Sequence, residues 1–238
     1  MGGLLVAAMS AALWWRWITL RQKAWNIRLA DAIPVHSKFW RERRGDDGEL
    51  HYVAIGDSTA QGIGASRPAH GYVGNVARHI DQVTGRMPKV TNLATSGATV
   101  RIAIDNQLPE FAGLQTDILT VSIGANDMAN FDAARFDADI RELFDALPDH
   151  AIVADLPSFY FLPRQKLVRV ANRLLREAAR ERGLTVVPLH ANTDKWGVWG
   201  VLRQFSGDLF HPNDRGYEMW ADTFVPAVDV RLHTLARR

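Results

Sequence analysis

The sequence predicts an α/β fold, a flavodoxin-like three-layer sandwich in which a five-stranded parallel sheet carries helices on both faces. Three observations predict it. From residue 50 onward, short apolar runs alternate with segments of helical period five times in succession, and consecutive βα units close their apolar faces around a parallel sheet. The 238 residues suffice for one good-sized domain with an appendage. The composition, 47% apolar and 23% charged, is that of a globular chain and excludes disordered and collagen-like classes.

The N-terminal arm comes first. Residues 2–15 are uncharged and mostly apolar, and the pattern resumes past Arg16 as far as Leu20. About 19 such residues are just enough for a membrane-spanning helix. No positive region precedes the run, and no small-x-small cleavage site lies directly after it. Trp14, Trp15, Trp17 and Trp25 resemble an interfacial aromatic belt. The expectation is a retained membrane anchor over residues 1–21, then a basic linker over residues 22–48 and the main domain over residues 49–238. The basic residues lie after the apolar run, which favours a cytoplasmic domain. The other readings are a first helix packed on the domain, a helix lying in the membrane interface, and cleaved export.

Strands are expected at residues 50–55, 89–93, 117–123, 151–156 and 184–188. The helices between them are expected at residues 72–83, 100–111, 133–147 and 164–182. A loop containing Trp and Gly then leads to a last helix near residues 214–230. Ligands in such a sheet bind beyond the carboxyl ends of the strands, which is where chemistry is sought.

Charge and cysteine content narrow the chemistry. Residues 1–44 hold eight Lys/Arg against two acidic residues, a net of +6, and the remainder holds twenty against twenty-four, a net of −4. The basic character thus lies in the N-terminal arm, and the domain has no nucleic-acid footprint. The absence of cysteine removes thiol nucleophiles, disulfides and thiolate metal sites. No HExxH or comparable ligand cluster is present, so no metal and no cofactor are implied.

Four blocks fall at strand ends or beside the last helix. Gly56-Asp57-Ser58-Thr59 presents a serine on the first strand-to-helix turn, where it either acts as a nucleophile or, with Asp57, caps the next helix. Gly62 and Gly64 come after it without the Gly-Lys-Ser/Thr of a phosphate loop. Asn92 to Thr99 ends the second strand in small residues that expose the Gly97 amide. Gly124-Ala125-Asn126-Asp127 sets a carboxamide beside the third strand. Gly and Asn at such places are also ordinary turn formers. Asp208 and His211 lie one turn apart ahead of the last helix, spaced for a local hydrogen bond that would fix the imidazole tautomer and free its other nitrogen for a serine proton. His190 has Asp194 as its nearest carboxylate, without that spacing.

These four blocks, in this order, resemble the SGNH (GDSL-type) serine hydrolase family, including its lysophospholipase and acyl-esterase members. The likeness spans about residues 50–230 and includes the phrase DLFHPNDRGY at residues 208–217. The resemblance implies Ser58 as nucleophile, His211 as base and Asp208 as its orienter. It also implies oxyanion donors in the Ser58 and Gly97 amides and the Asn126 side chain. Thr59 stands where the family usually has leucine, at a position that carries no chemistry. The expected activity is serine-dependent hydrolysis of carboxylic esters through an acyl-enzyme, without a cofactor.

Residues 159–162 and 196–205 bring apolar loops to the site, either as walls of an acyl pocket or as anchors of the domain edge. With the expected anchor they suggest lipid-like small-molecule partners: acyl esters, lysophospholipids or thioesters. The alternatives are a carbohydrate deacetylase, an acyltransferase, and a non-enzymatic membrane-tethered binding module.

Overall fold

The computed structural model describes residues 2–160 and 162–237. A long helix, α1 (Gly2–Arg43), precedes β1 (His51–Gly56). Next come a single helical turn, α2 (Ser58–Gln61), a 3-10 turn (Pro68–His70) and α3 (Tyr72–Thr84). After β2 (Lys89–Asn92) come α4 (Val100–Ile102), a π-helical stretch (Ala103–Gln107) and α5 (Leu108–Phe111). β3 (Ile118–Ser122) leads through a 3-10 turn (Asn126–Ala129) to α6 (Ala133–Asp145), and β4 (Ile152–Ala154) to α7 (Leu162–Glu181). β5 (Thr185–Val187) precedes α8 (Leu189–Asp194), α9 (Gly197–Gln204) and α10 (Asp214–Leu235).

The five strands are parallel and ordered β2-β1-β3-β4-β5, the flavodoxin-like order, whose switch point lies between β1 and β3. Alternation along each strand divides the core in two. Val53 and Ile55 of β1, with Leu119 and Val121 of β3, pack towards α6 and α7. Tyr52, Ala54 and Ile118 pack towards α3, α10 and Trp40 of α1. Tyr72 of α3 stacks on Phe224 of α10, with ring centroids 5.2 Å apart. The sheet is thus covered on both faces, and its strand ends project Asp57–Ser58, residues 93–98 and residues 123–127 to one edge.

The segment expected as one helix over residues 100–111 is broken by the π-helical stretch. The wider turn belongs with an inward Gln107, whose Oε1 accepts from the Gly56 amide at 3.0 Å while its Nε2 donates to the Gly56 carbonyl at 2.8 Å. Such bulges recur beside functional sites, and this one clamps the residue two before Ser58. Gly56 admits no side chain, because a Cβ there would lie 2.6 Å from the Ser122 carbonyl oxygen and 2.7 Å from the Ala60 Cβ. Gln107→Leu is expected to destabilise the fold by about 1–3 kcal/mol, the cost of stranding a buried amide. Urea unfolding measures this, and an unchanged midpoint would remove the clamp from the account of β1. The expected loop ahead of the last helix likewise contains two helices, α8 and α9.

The N-terminal expectation needs correction. Among the described residues no helix is long and apolar enough to cross a membrane. The uncharged run over residues 2–15 spans only about 21 Å as a helix, against about 30 Å of bilayer hydrocarbon, and Arg16 interrupts the apolar pattern beyond it. The membrane anchor, the membrane partner and the cytoplasmic orientation inferred from them are therefore not upheld. Met1 lies outside the described residues. The basic segment read as a linker is helical through Arg43 and packs on the domain. Leu29, His36 and Trp40 are buried there.

Candidate active site

The first catalytic candidate is held by a cap. Asp57 precedes α2 in extended conformation, and its Oδ1 accepts from the Thr59 amide and the Thr59 hydroxyl, both at 2.8 Å. Of the two readings of this block, the cap is realised by Asp57, and Ser58 begins the turn that it caps. Being in the first turn, the Ser58 N–H has no helical carbonyl to bond. Burial pushes the Asp57 carboxyl above its ordinary value, against the hydrogen bonds from Thr59 and the attraction of His211.

A tight loop ahead of α10 carries Asp208 and His211. Ser206 N–H donates to the His211 carbonyl at 2.8 Å, and an isolated antiparallel bridge joins Phe205 to Pro212. Leu209 turns the chain through a left-handed conformation, φ 59°, which costs a non-glycine residue of order 1 kcal/mol. That turn brings Asp208 under the imidazole of His211. The Asp208 Oδ2 accepts from His211 Nδ1 at 2.6 Å. Its Oδ1 accepts from the Ser206 hydroxyl at 2.6 Å and from the Phe210 and His211 amides at 3.1 Å. Burial acts to raise the Asp208 carboxyl and is outweighed by its hydrogen bonds from His211, Ser206 and Phe210 and by attraction to His211, so the group sits below its ordinary value.

On the far side of the ring, His211 Nε2 lies 2.9 Å from Ser58 Oγ. With the Nδ1 proton committed to Asp208, Nε2 is the acceptor and the serine hydroxyl donates. Two further contacts hold the Ser58 segment to α10 and to the Asp208–His211 loop. The Tyr217 hydroxyl donates to the Ile63 carbonyl at 2.6 Å. Gly64, at φ +101°, lets its backbone approach the other loop so closely that a Cβ would lie 2.9 Å from the His211 Cβ.

Gly97 and Asn126, expected at strand ends two and three, line one cavity with Ser58 and His211. Asn126 Nδ2 donates to the Ala98 carbonyl at 2.9 Å and stands 3.4 Å from Asp57 Oδ2. One amide hydrogen is firmly engaged and the other only weakly, so it can be redirected to a developing charge. Gly97 takes φ +79°, open to glycine at little cost. The Asp127 carboxyl is pushed up to about 6, chiefly by burial, and its Oδ2 accepts from the Val100 amide at 3.1 Å.

His70 and His190 do not reproduce this relay. Ser66, His70 and Asp214 also cluster, but the hydroxyl and the carboxylate both meet Nδ1, at 2.9 and 3.0 Å, so the ring does not link them in series. His190 Nε2 lies 3.4 Å from Gln165 Nε2, while Asp194 accepts from the Ser158 hydroxyl.

A second cavity, of about 220 Å³, opens beside Ser58 and Asn126 and is walled by Phe159, Tyr160, Val201, Phe205, Leu209 and Phe210. Both apolar loops singled out in the sequence therefore reach the site, although Trp196 and Trp199 are exposed. Phe161 lies outside the described residues. Sequence reasoning missed the supports: Gln107, Ser206, and the face of α1 that meets Gln61, whose carbonyl accepts from Trp40 Nε1 at 3.0 Å and His36 Nδ1 at 2.9 Å.

Residues 54–219 match the GDSL-like lipase/acylhydrolase family. A GDSL-like esterase of Mycobacterium tuberculosis is 28% identical over 204 residues, which cover 79% of this chain and 64% of that protein, so the chain spans somewhat under two thirds of its length. Among solved structures, an alpha/beta hydrolase from the metagenome of Lake Arreo superposes with a TM-score of 0.62 at 22% identity, covering 76% of this chain and 96% of that one. An acetylxylan esterase of Geobacillus stearothermophilus gives 0.58 at 20% identity, covering 76% and 94%. At these identities the two structures show the shared fold. By the match over residues 54–219, the chain belongs to the GDSL-like lipase/acylhydrolase family.

Proposed function

We propose that the protein hydrolyses carboxylic esters through an acyl-enzyme on Ser58, with His211 as general base and acid and Asp208 orienting it. The observation that carries this reading is the continuous relay from Asp208 Oδ2 through the imidazole to Ser58 Oγ, with links of 2.6 and 2.9 Å. Ser58 Oγ attacks the acyl carbon as its proton passes to His211 Nε2. The carbonyl oxygen gains charge among the Ser58 amide, the Gly97 amide and the Asn126 carboxamide. The imidazolium then gives its proton to the departing alcohol oxygen. Water repeats the sequence from the vacated side and releases the acid. No cofactor enters this scheme.

Quenching turnover of 4-nitrophenyl hexanoate with acid and weighing the peptide that holds Ser58 tests the acyl-enzyme. A hexanoyl increment on that peptide supports the reading, and an increment on any other residue overturns it. An acyl panel from acetyl to palmitoyl separates this activity from carbohydrate deacetylation, in which acetyl esters alone would turn over.

Asn126→Ala is expected to lower kcat by about 10²–10³, the effect of losing one oxyanion donor, with KM little changed. Steady-state kinetics on the same ester checks it. A loss confined to KM would make Asn126 a ground-state contact instead.

A further inference from the structure

The N-terminal helix is part of the wall of the active site. One helical face of α1 carries Gln22, Trp25, Asn26, Leu29, Ile33, His36 and Trp40 at spacings of three and four residues. It touches both catalytic loops. His36 and Trp40 donate to the Gln61 carbonyl, and Gln61 Nε2 reaches the Ser37 hydroxyl at 3.2 Å. At the other loop, Gln22 Nε2 donates to the Asp208 carbonyl at 3.4 Å. Trp25 closes over Gly207 so tightly that a Cβ there would lie 1.9 Å from its indole nitrogen. Between these two attachments Asn26, Leu29, Ala30 and Ile33 face a cavity of about 260 Å³ whose other walls include Ser58, Gly97 and His211.

The reaction assigns the two cavities different occupants. The leaving oxygen must receive its proton from His211 Nε2, so the alcohol departs on the side that His211 lines. That is the cavity under α1. It is also the more open of the two, as a group that leaves before deacylation requires. The other cavity, more enclosed, lined mainly by aromatic and aliphatic side chains and met by α1 only at Gln22, suits the acyl chain that stays bound to serine. Resting on the acyl-enzyme reading above, we infer that α1 forms the alcohol-side wall, and that its Leu29, Ala30 and Ile33 select esters of apolar alcohols, with Asn26 as a polar contact at the same face.

The test uses the full chain and hexanoate esters of methanol and benzyl alcohol, together with methyl esters from acetate to decanoate. Ala30 is exposed to the cavity, so Ala30→Trp narrows it. The kcat/KM ratio of benzyl to methyl ester is expected to fall about tenfold or more, the scale of discrimination in an apolar pocket. The preference among acyl chains should keep its order. Ile33→Ala widens the same space and should raise the ratio, which keeps the inference testable if the larger side chain misfolds. Val201→Phe, in the other cavity, should instead shorten the preferred acyl chain. A second readout is partition of the acyl-enzyme, since added benzyl alcohol should compete with water less well in Ala30→Trp than in the unaltered chain. An Ala30→Trp protein that shortens the acyl preference, or leaves the alcohol ratio within about twofold, overturns the assignment of α1. Esters hydrolysed equally by Ser58→Ala overturn the acyl-enzyme reading and this inference with it.

Discussion

Ser58→Ala is expected to lower kcat by about 10⁶, leaving hydrolysis near background on every ester from acetyl to palmitoyl. The magnitude is that of removing the nucleophile from a site whose base and orienter can act only through it. The change should be close to neutral for folding, because the contact of Ser58 Oγ is with His211 Nε2 and the cap on α2 is supplied by Asp57. The Ser58 amide remains in place, so substrate still binds and KM moves little. The double variant Ser58→Ala, His211→Ala should be no slower than Ser58→Ala alone, since residues that act as one unit are not additive. Kinetics on the ester panel, with thermal unfolding as the folding control, checks each part. A Ser58→Ala protein that retains even a hundredth of the activity would remove Ser58 as nucleophile.

Much of this site was legible because its chemistry is local in sequence. A serine on the first strand-to-helix turn and an Asp–His pair three residues apart need little tertiary knowledge beyond a parallel sheet. Strands β1 to β5 were legible for a similar reason, as short apolar runs bounded by turn residues. The groups that escaped are those whose role depends on distant partners. Gln107 shares a helical face with Val100, Ala103, Ile104 and Phe111, all buried, and that spacing held a signal that a polar residue on an apolar stripe is engaged. Its partner, the backbone of Gly56, lies 51 residues away and is not written in the local pattern.

The N-terminal helix shows a different failure. The apolar run over residues 2–20 and the tryptophans were read against the length and edges of a bilayer span, whereas Leu29, Ile33, His36 and Trp40, in the segment expected as a linker, match the period of a helix laid on a protein surface. His36 illustrates the difference. Burial lowers its basicity, only partly offset by its bond to the Gln61 carbonyl, and that bond requires the proton on Nδ1. An imidazole donating to the Gln61 carbonyl at the end of α2 is a packing device, and it ties α1 to the same turn that carries Ser58.

Asp208→Asn should lower kcat by about 10⁴ while leaving the fold and KM nearly intact. An asparagine can keep its carbonyl oxygen towards the Ser206 hydroxyl and the Phe210 and His211 amides, which now bond Asp208 Oδ1. Its NH₂ then replaces Oδ2 beside His211 Nδ1. Two donors cannot face each other, so the imidazole proton moves to Nε2, and the nitrogen that should accept from Ser58 presents a hydrogen instead. The base is disabled by tautomer, with its position unchanged. Stability provides an independent readout with a definite sign. The Asp208 carboxyl is held below its ordinary value of 3.8, so its contribution to folding is present above that value and is lost as pH falls through the lower folded one. The difference in thermal midpoint between the unaltered chain and Asp208→Asn should therefore shrink on acidification, whereas a residue with only a packing role would give a gap independent of pH. A kinetic loss below about tenfold would exclude Asp208 as the group that sets the His211 tautomer, since the wrong tautomer cannot act as the serine's base.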